Sequence, residues 1–181
     1  MIPILVFSQK RKAVLTLNDN SVHNGLAMIK HNDKIVFWHS NEGGKVKYNY
    51  DQVKQIIIFD KKGESTKYTY KKQRGKKKYL LLRILVDGGL LFYEFDENIY
   101  LNSYSSSIHM HTKEYYISKK DQDFVDRIRV GIKFKKFEKI SNVYFKDCSD
   151  LISKIESKYF ERDDHKGVKD LVIYYNENCS N

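Results

Sequence analysis

The stretch KYLLLRILVDGGLLFYEFD, residues 78–96, has two apolar arms on either side of Asp87-Gly88-Gly89. Glycine adopts the positive backbone angles that a tight strand reversal demands, so this pattern predicts a β-hairpin. A short apolar run also fits a helix, and a helix from Tyr79 to Leu85 that ends at Asp87-Gly88 is the alternative. The hairpin is the clearest of several similar signals, which together predict a sheet-rich fold.

Other hairpins precede this stretch in the sequence. Asn18-Asp19-Asn20 separates short apolar runs, and both Asn and Asp tolerate the left-handed backbone angles found in turns. Lys61-Lys62-Gly63-Glu64 is a further turn, and Tyr68 and Tyr70 alternate on the strand that follows it. Fourteen Tyr and ten Phe with a single Pro agree with a sheet, because aromatic residues favour strands and Pro interrupts them.

The spacing of apolar residues changes at about residue 121. From there they fall three or four residues apart, as in Phe124 and Ile128 or Leu151 and Ile155. This period is typical of amphipathic helices. The C-terminal part of the chain, including Ile132 to Ile140, is therefore predicted to be helical.

The predicted fold class is α+β, because a run of strands is followed by a run of helices. An antiparallel twisted sheet or partly open barrel of hairpins, at about residues 20–118, precedes a helical segment at about 121–178. The chain has no Pro-rich or Gly/Ser-rich linker, so residues 9–181 are expected to form one domain, β-rich over 12–118.

The chain is strongly basic. It has 33 Lys and Arg against 23 Asp and Glu, a formal net charge of +10. Such a protein is attracted to polyanions such as nucleic acid, acidic glycans and anionic lipid head groups. Apart from the opening run, no stretch approaches the roughly 18 to 20 apolar residues that span a bilayer, so no transmembrane span is expected.

The largest charge feature is a basic cluster between residues 61 and 78. Tyrosines beside lysines on a strand are typical of a single-stranded nucleic-acid platform, where bases stack on rings and cations hold phosphates. The other interpretation, which we favour, is a solvated edge hairpin whose lysines prevent pairing with another chain. The predicted binding surface consists of Lys61, Lys62, Lys67, Tyr68, Tyr70, Lys71, Lys72, Arg74, Lys76, Lys77 and Lys78.

Catalytic signatures are absent from the sequence. It contains no Gly-x-Ser-x-Gly elbow, no phosphate-binding loop and no His-Glu-x-x-His motif, so we expect neither an enzyme nor a cofactor. His109-x-His111 places two imidazoles on one face of a strand and is the candidate for a metal site, although no further ligands at fixed spacing accompany it. His23, His31 and His39 have the spacing of hairpins rather than of a ligand motif.

Cys148 and Cys179 are the only thiols, and each lies beside the end of a predicted helix. A helical hairpin brings such ends together, as a disulfide requires. If it forms, the bond stabilises the fold by about 3 to 4 kcal/mol on the chain-entropy model. Unrelated free thiols, common in cytosolic proteins, are the alternative.

Six segments follow one another in a recognisable order: GLAMIKHNDKIVFW, YNYDQVKQIIIFD, LLLRILVDGGLLFYEF, EYYISKK, YFKDCSDLISKI and VKDLVIYYNENC. From Gly25 to Cys179 the chain resembles an uncharacterised family of exported Gram-negative envelope proteins. Members look like a β-rich module with a helical tail, sometimes preceding an outer-membrane β-barrel. The chain departs from the family in having Ser149 where Pro is usual. The resemblance implies a compartment and a fold type, but no active site.

The opening MIPILVFS, residues 1–8, bears on the compartment. A secretory signal has a basic start, an apolar stretch of roughly 7 to 15 residues and a small residue before the cleavage site. The opening has a short apolar run and Ser8 but no basic start, which by itself predicts a buried first strand and a cytoplasmic protein. The resemblance implies instead that residues 1–8 are the remnant of a signal peptide.

The expected function is that of an exported, periplasmic or surface-associated protein, a non-catalytic binding or structural module with a basic hairpin surface. Its partner would be another envelope protein or an acidic surface. An intracellular single-stranded nucleic-acid-binding protein that uses the same basic cluster is the alternative. A weaker alternative is an envelope hydrolase with His109 or His111 in its site.

Overall fold

The computed structural model describes residues 10–30, 34–40, 43–103, 106–128, 142–157 and 165–179. The strands are β1 (Arg11–Leu17), β2 (Val22–Lys30), β3 (Lys34–Trp38), β4 (Lys45–Tyr48), β5 (Val53–Phe59), β6 (Ser65–Gln73), β7 (Tyr79–Val86), β8 (Leu90–Ser103), β9 (Ser106–Lys119) and β10 (Phe124–Ile128). The helices with described bounds are α1 (Ser149–Glu156) and α2 (His165–Asn178). The predictions for residues 1–8 and for Ile132 to Ile140 lie outside the described residues.

The α+β class is confirmed, and the sheet is mixed. Hydrogen-bonded neighbours follow the order β10-β9-β8-β7-β6-β5-β1-β2-β3-β4, and β10 also pairs with β6. This last pairing is parallel, with Phe124 opposite Lys72, so an entirely antiparallel sheet was the wrong expectation. The alternative helix from Tyr79 to Leu85 is also wrong, because these residues form β7.

Two predicted boundaries are corrected by the structure. The first strand begins at Arg11, well before residue 20. The sheet also extends beyond residue 118, because Phe124–Ile128 is a strand and not the start of a helix. A four-residue apolar spacing fits a helical face, but β10 is hydrogen-bonded to both β9 and β6, and its aromatic and β-branched residues suit a strand.

The chain divides into two compact units. Unit 1 comprises residues 1–70 and 79–83, and unit 2 comprises residues 71–78 and 84–181. Each unit has its own apolar core. The single domain expected from the sequence stays a prediction.

The core of unit 1 lies on one face of its strands. Ala13 and Leu15 of β1 point into it, together with Ile35 and Phe37 of β3 and Ile56 of β5. Strand β1 pairs with β2 on one side and with β5 on the other, so its register determines which residues of three strands share a face. Side chains alternate along a strand, so the residues between these core positions point away from the core.

Two turns of unit 1 lie where the sequence predicts them and have a residue with a positive φ angle. Asn20 adopts a φ of 67° between β1 and β2, and Gly63 adopts a φ of 85° between β5 and β6. In the second turn one carboxylate oxygen of Asp60 accepts hydrogen bonds from the amides of Lys62 and Glu64, at 2.8 and 2.9 Å. Both predicted reversals are therefore confirmed.

Gly25 allows β2 and β3 to pack closely. A Cβ atom at this position would lie 2.2 Å from the carbonyl oxygen of Trp38 and 2.8 Å from the ring of Phe37. The Phe37 ring is fully buried and occupies the space that a side chain of residue 25 would need. A backbone oxygen cannot yield as a flexible side chain can, so the position requires glycine.

Unit 2 is built on the long hairpin of β8 and β9, which pair from Leu90–Lys119 to Ser103–Ser106. Phe92 and Ile117 lie opposite each other on the face that carries the core of unit 2. Both helices contribute to this core, through residues such as Leu151 of α1 and Leu171 of α2. The two C-terminal helices therefore supply six of the fourteen described buried residues of this core.

Asn176 holds α2 against the start of β8. Its carboxamide oxygen accepts from the amide of Leu90 at 2.8 Å, and its amide group donates to the carbonyl of Leu90 at 2.8 Å. The side chain thus satisfies both backbone groups of one strand residue. It also fills the space beside Gly88, where a Cβ atom would approach the Asn176 amide nitrogen to 2.4 Å.

A disulfide joins Cys148 to Cys179, with their Cα atoms 5.6 Å apart. Cys148 directly precedes α1 and Cys179 directly follows α2, as the helical hairpin predicts. The bond closes a loop with a sequence separation of 31 residues. In the described part of the chain, no helix has the length and apolar character needed to cross a membrane.

We expect Gly25→Ala to lower the free energy of unfolding by about 1 to 3 kcal/mol or more, because the added methyl group overpacks the contact between β2 and β3. Gly44→Ala is the matched control, since a Cβ atom there meets nothing within 4 Å. Urea unfolding of both variants measures the difference. Equal stability of the two variants would contradict the role assigned to Gly25.

Candidate functional site

The predicted basic cluster is divided between the two ends of β6. Lys61 and Lys62 lie in the turn that precedes this strand, and Lys76, Lys77 and Lys78 lie in the turn that follows it. The strand has nine residues, so it extends for roughly 30 Å. The cluster is therefore not a single patch around one point.

The two tyrosines of the basic cluster contact the core of unit 1. Tyr68 and Tyr70 are half-buried and pack against the core of unit 1. Tyr68 lies opposite Ile56, which is fully buried. A ring that packs against a core does not offer its face to a base. The positions of Tyr68 and Tyr70 therefore do not support a platform on which bases stack.

Arg74 has a structural role at the end of β6. Its guanidinium donates two hydrogen bonds to the carboxylate of Asp126 on β10, at 2.6 and 2.9 Å. The same guanidinium lies 3.7 Å from the centroid of the Phe124 ring. Asp126 also accepts from the hydroxyl of Tyr144 at 2.5 Å. The carboxylate raises the pKa of Arg74, so this fork stays charged and holds β10 beside β6.

Lys71 and Lys78, which belong to unit 2, contact other residues of the same unit. The ammonium of Lys71 donates to the carbonyl of Gln122 at 2.6 Å, and burial lowers its pKa. The ammonium of Lys78 lies 5.3 Å from the centroid of the Phe95 ring. The exposed lysines of the cluster are Lys72 and those of the two turns.

The candidate metal ligands His109 and His111 lie on β9, opposite Tyr100 and Asn98. Their side chains are not among those that the structure describes. Within the described residues there is no group of three or more His, Cys, Asp or Glu side chains with the arrangement of a metal site. The metal interpretation of this pair stays a prediction.

His23 and His39 are brought together by the pairing of β2 with β3. Their ring centroids are 5.1 Å apart in an edge-to-face arrangement. The Nε2 atom of His39 lies 3.3 Å from the hydroxyl of Tyr48, and that of His23 lies 3.2 Å from the hydroxyl of Ser21. This agrees with the hairpin spacing of these histidines. His31 lies outside the described residues.

A second basic surface, which the sequence reasoning missed, covers the face of unit 1 opposite its core. We call it the lysine face, defined by the residues of β1 to β6 that alternate with core positions. The register places Lys12 opposite Leu26, Trp38 opposite Lys45 and Val36 opposite Lys47 on this face. Its lysines, with Lys10 directly before β1, are Lys10, Lys12, Lys30, Lys34, Lys45, Lys47 and Lys67.

The lysine face carries no described acidic residue. The described Asp and Glu residues of unit 1 all lie in connections between strands, at Asp19, Asp51, Asp60 and Glu64. Nor does the face carry an arginine, because Arg11 shares the core-facing register of Ala27. The face therefore presents one sign of charge through one residue type.

Apolar side chains lie between these lysines. Val14, Leu26 and Phe59 are half-buried, and with Lys12, Asn24, His39 and Ser40 they line an open cleft of about 650 Å³. This volume falls in the range of roughly 300 to 1,000 Å³ that is usual for ligand sites. Trp38, on the same face, is only 8% exposed, and the ammonium of Lys10 lies 4.4 Å from its ring centroid.

A signal for this face exists in the sequence. Lysines recur two residues apart in Lys10-Arg11-Lys12 and in Lys45-Val46-Lys47, and in a strand such residues share a face. A linear count of charge favours residues 61–78, where lysines are adjacent in the chain. Only the pairing of β1 to β6 shows that dispersed lysines share one surface.

Comparison of the chain with protein-family models, with curated proteins and with solved structures found no match. The resemblance to exported envelope proteins therefore stays a prediction.

We expect Arg74→Ala to lower the free energy of unfolding by about 1 to 3 kcal/mol, since it removes a charge-assisted fork from Asp126. Lys76→Ala, an exposed cation two residues away, should change it by less than about 0.5 kcal/mol. Thermal unfolding of both variants tests this assignment. A larger effect for Lys76→Ala would show that Arg74 is not the residue that holds β10.

Proposed function

We propose that the protein is an exported, envelope-associated binding module whose lysine face engages an acidic partner. The observation that carries this proposal is the presence of lysines, without described acids, on one face of the sheet of unit 1. Same-sign charges on a folded surface raise the local concentration of an oppositely charged partner. They also repel one another, so their concentration on one face needs an explanation beyond solubility.

The disulfide supports the exported compartment. Disulfides persist in secreted and periplasmic proteins and are rare in the reducing cytosol. The bond between Cys148 and Cys179 links the ends of two helices that pack in one core. It agrees with the compartment that the family resemblance implies, and two of the segments that carry this resemblance contain the same two cysteines.

The proposal includes a partly open barrel for unit 1. Tyr50, which follows β4, stacks on Tyr79 at the start of β7, with ring centroids 4.1 Å apart and an interplanar angle of 7°. Tyr48 and Leu81 share the core of unit 1 although their strands, β4 and β7, stand six places apart in the strand order. These contacts support a sheet that curves strongly, with the lysine face on its outer side.

The compartment is tested by alkylation of freshly isolated protein from its native cell. In urea, where both cysteines are accessible, we expect no labelling of Cys148 or Cys179 until a reductant is added. A reduced and alkylated sample should lose about 3 to 4 kcal/mol of stability, because the open chain gains the entropy of an unconstrained loop. Labelling before reduction would count against export.

The lysine face is tested by retention on a dextran sulfate resin. Lys45→Gln/Lys47→Gln should elute at a lower salt concentration than the parent chain, since both side chains are exposed on this face. Lys61→Gln/Lys62→Gln removes the same charge from the β5–β6 turn and should elute close to the parent. Equal shifts of the two variants would show that net charge, and not the lysine face, controls retention.

A further inference from the structure

We propose that the acidic partner of the lysine face is an anionic lipid surface, on which this face docks with its apolar side chains in the interfacial layer. This inference rests on the proposed function and names its partner class. An anionic bilayer presents phosphate groups at its surface and hydrocarbon directly beneath them. The lysine face has a corresponding composition, because its ammonium groups lie beside apolar side chains, of which Val14 and Leu26 are half-buried and Val36 is buried.

The positions of the exposed lysines allow their ammonium groups to contact lipid head groups. Lys12 on β1 and Lys45 and Lys47 on β4 are exposed on the same face, with β2 and β3 between their strands. Each lysine near an anionic membrane surface accounts for about fivefold in affinity. Lysine side chains are long, so their ammonium groups reach phosphates while their methylene stems stay beside apolar residues.

The residue types favour a lipid surface over a protein partner. Protein interfaces are enriched in Arg, Tyr and Trp and depleted in Lys. On the lysine face every described cation is a lysine. Compact, mobile ammonium groups suit a fluid array of head groups, whereas a fixed carboxylate on a protein is better matched by the planar fork of an arginine.

The apolar side chains favour lipid over single-stranded nucleic acid. Bases need exposed aromatic rings on which to stack. The apolar lining here is mainly aliphatic, as in Val14 and Leu26, and Phe59 is half-buried. The ring of Trp38 is 8% exposed and has the ammonium of Lys10 over it. Aliphatic groups beside lysines are typical of segments that lie in a membrane interface.

Trp38 makes this proposal directly measurable, because it is the only tryptophan in the chain. It lies on the lysine face opposite both Leu26 and Lys45. Phospholipids with brominated acyl chains quench a tryptophan only when it comes close to the hydrocarbon. Quenching therefore reports docking through this face, and not adhesion through a turn elsewhere on the surface.

The experiment mixes the full-length, disulfide-bonded chain with vesicles of phosphatidylcholine alone or with about one third phosphatidylglycerol, in about 0.1 M salt. We expect co-sedimentation with the anionic vesicles only, with release in about 1 M salt, where charges are screened beyond about 3 Å. Trp38 fluorescence should be quenched by brominated phosphatidylglycerol. Binding without quenching would overturn the proposal, as would equal binding to both kinds of vesicle.

Matched variants locate the surface. Lys45→Gln/Lys47→Gln should weaken binding to anionic vesicles by about 25-fold, fivefold for each lysine. Lys61→Gln/Lys62→Gln should weaken it by less than about threefold, because these exposed residues lie outside the face. Circular dichroism confirms that both variants are folded. Equal losses in the two folded variants would overturn docking through the lysine face.

A parallel titration with dextran sulfate separates the two proposals. If dextran sulfate binds in a manner that depends on Lys45 and Lys47 while anionic vesicles do not bind, the proposed function stands and the lipid inference fails. Binding of a single-stranded DNA oligonucleotide in place of vesicles, with the same dependence, would also overturn it. If no polyanion binds, both proposals fail. Vesicle binding with quenching of Trp38 supports both.

Discussion

The register of β1 is the constraint on which the proposed binding surface depends. Ala13 and Leu15 are almost fully buried, and the pairing of β1 with β5 holds them opposite two other core residues, Ile58 and Ile56. A shift of one residue would move Lys12 and Thr16 into the core and expose two apolar side chains. The core therefore decides the position of the lysines: those that alternate with buried residues have no other face available.

In unit 2 the hairpin of β8 and β9 needs the helices to complete its core. Leu90 shows how closely they are joined, because the side chain of Asn176 pairs with both of its backbone groups as a neighbouring strand would. The disulfide holds the same C-terminal end of α2, because it joins Cys179 to Cys148, the residue before α1. One tie acts through hydrogen bonds and the other through a covalent bond, and both restrain the same helix.

The sequence predicted what depends on local chemistry. Turns at Asn20 and Gly63 and the apolar hairpin around Gly88 follow from residue types at short range. The disulfide of Cys148 and Cys179, for which free thiols were the alternative, agrees with their positions at the ends of the two helices. The prediction from sequence was wrong where pairing between distant segments determines the secondary structure. Phe124–Ile128 becomes a strand because β6 and β9 flank it, and no local pattern announces those neighbours. The lysine face was missed for the same reason, since its members come from separate strands.

Arg74 and the lysines of the lysine face have different roles in this chain. The arginine stabilises the fold, whereas the lysines form a charged surface. Arg74 forms a planar fork with Asp126, stacks on Phe124 and is fixed in place. The lysines of the lysine face come from positions that alternate with the core, and Lys45 and Lys47 extend from exposed sites. A guanidinium is suited to one partner of fixed geometry, while an ammonium on a flexible stem tolerates many. A linear stretch of positive charge is therefore a poor guide to a binding surface, because its arginine can stabilise the fold while lysines that are far apart in the sequence share one face.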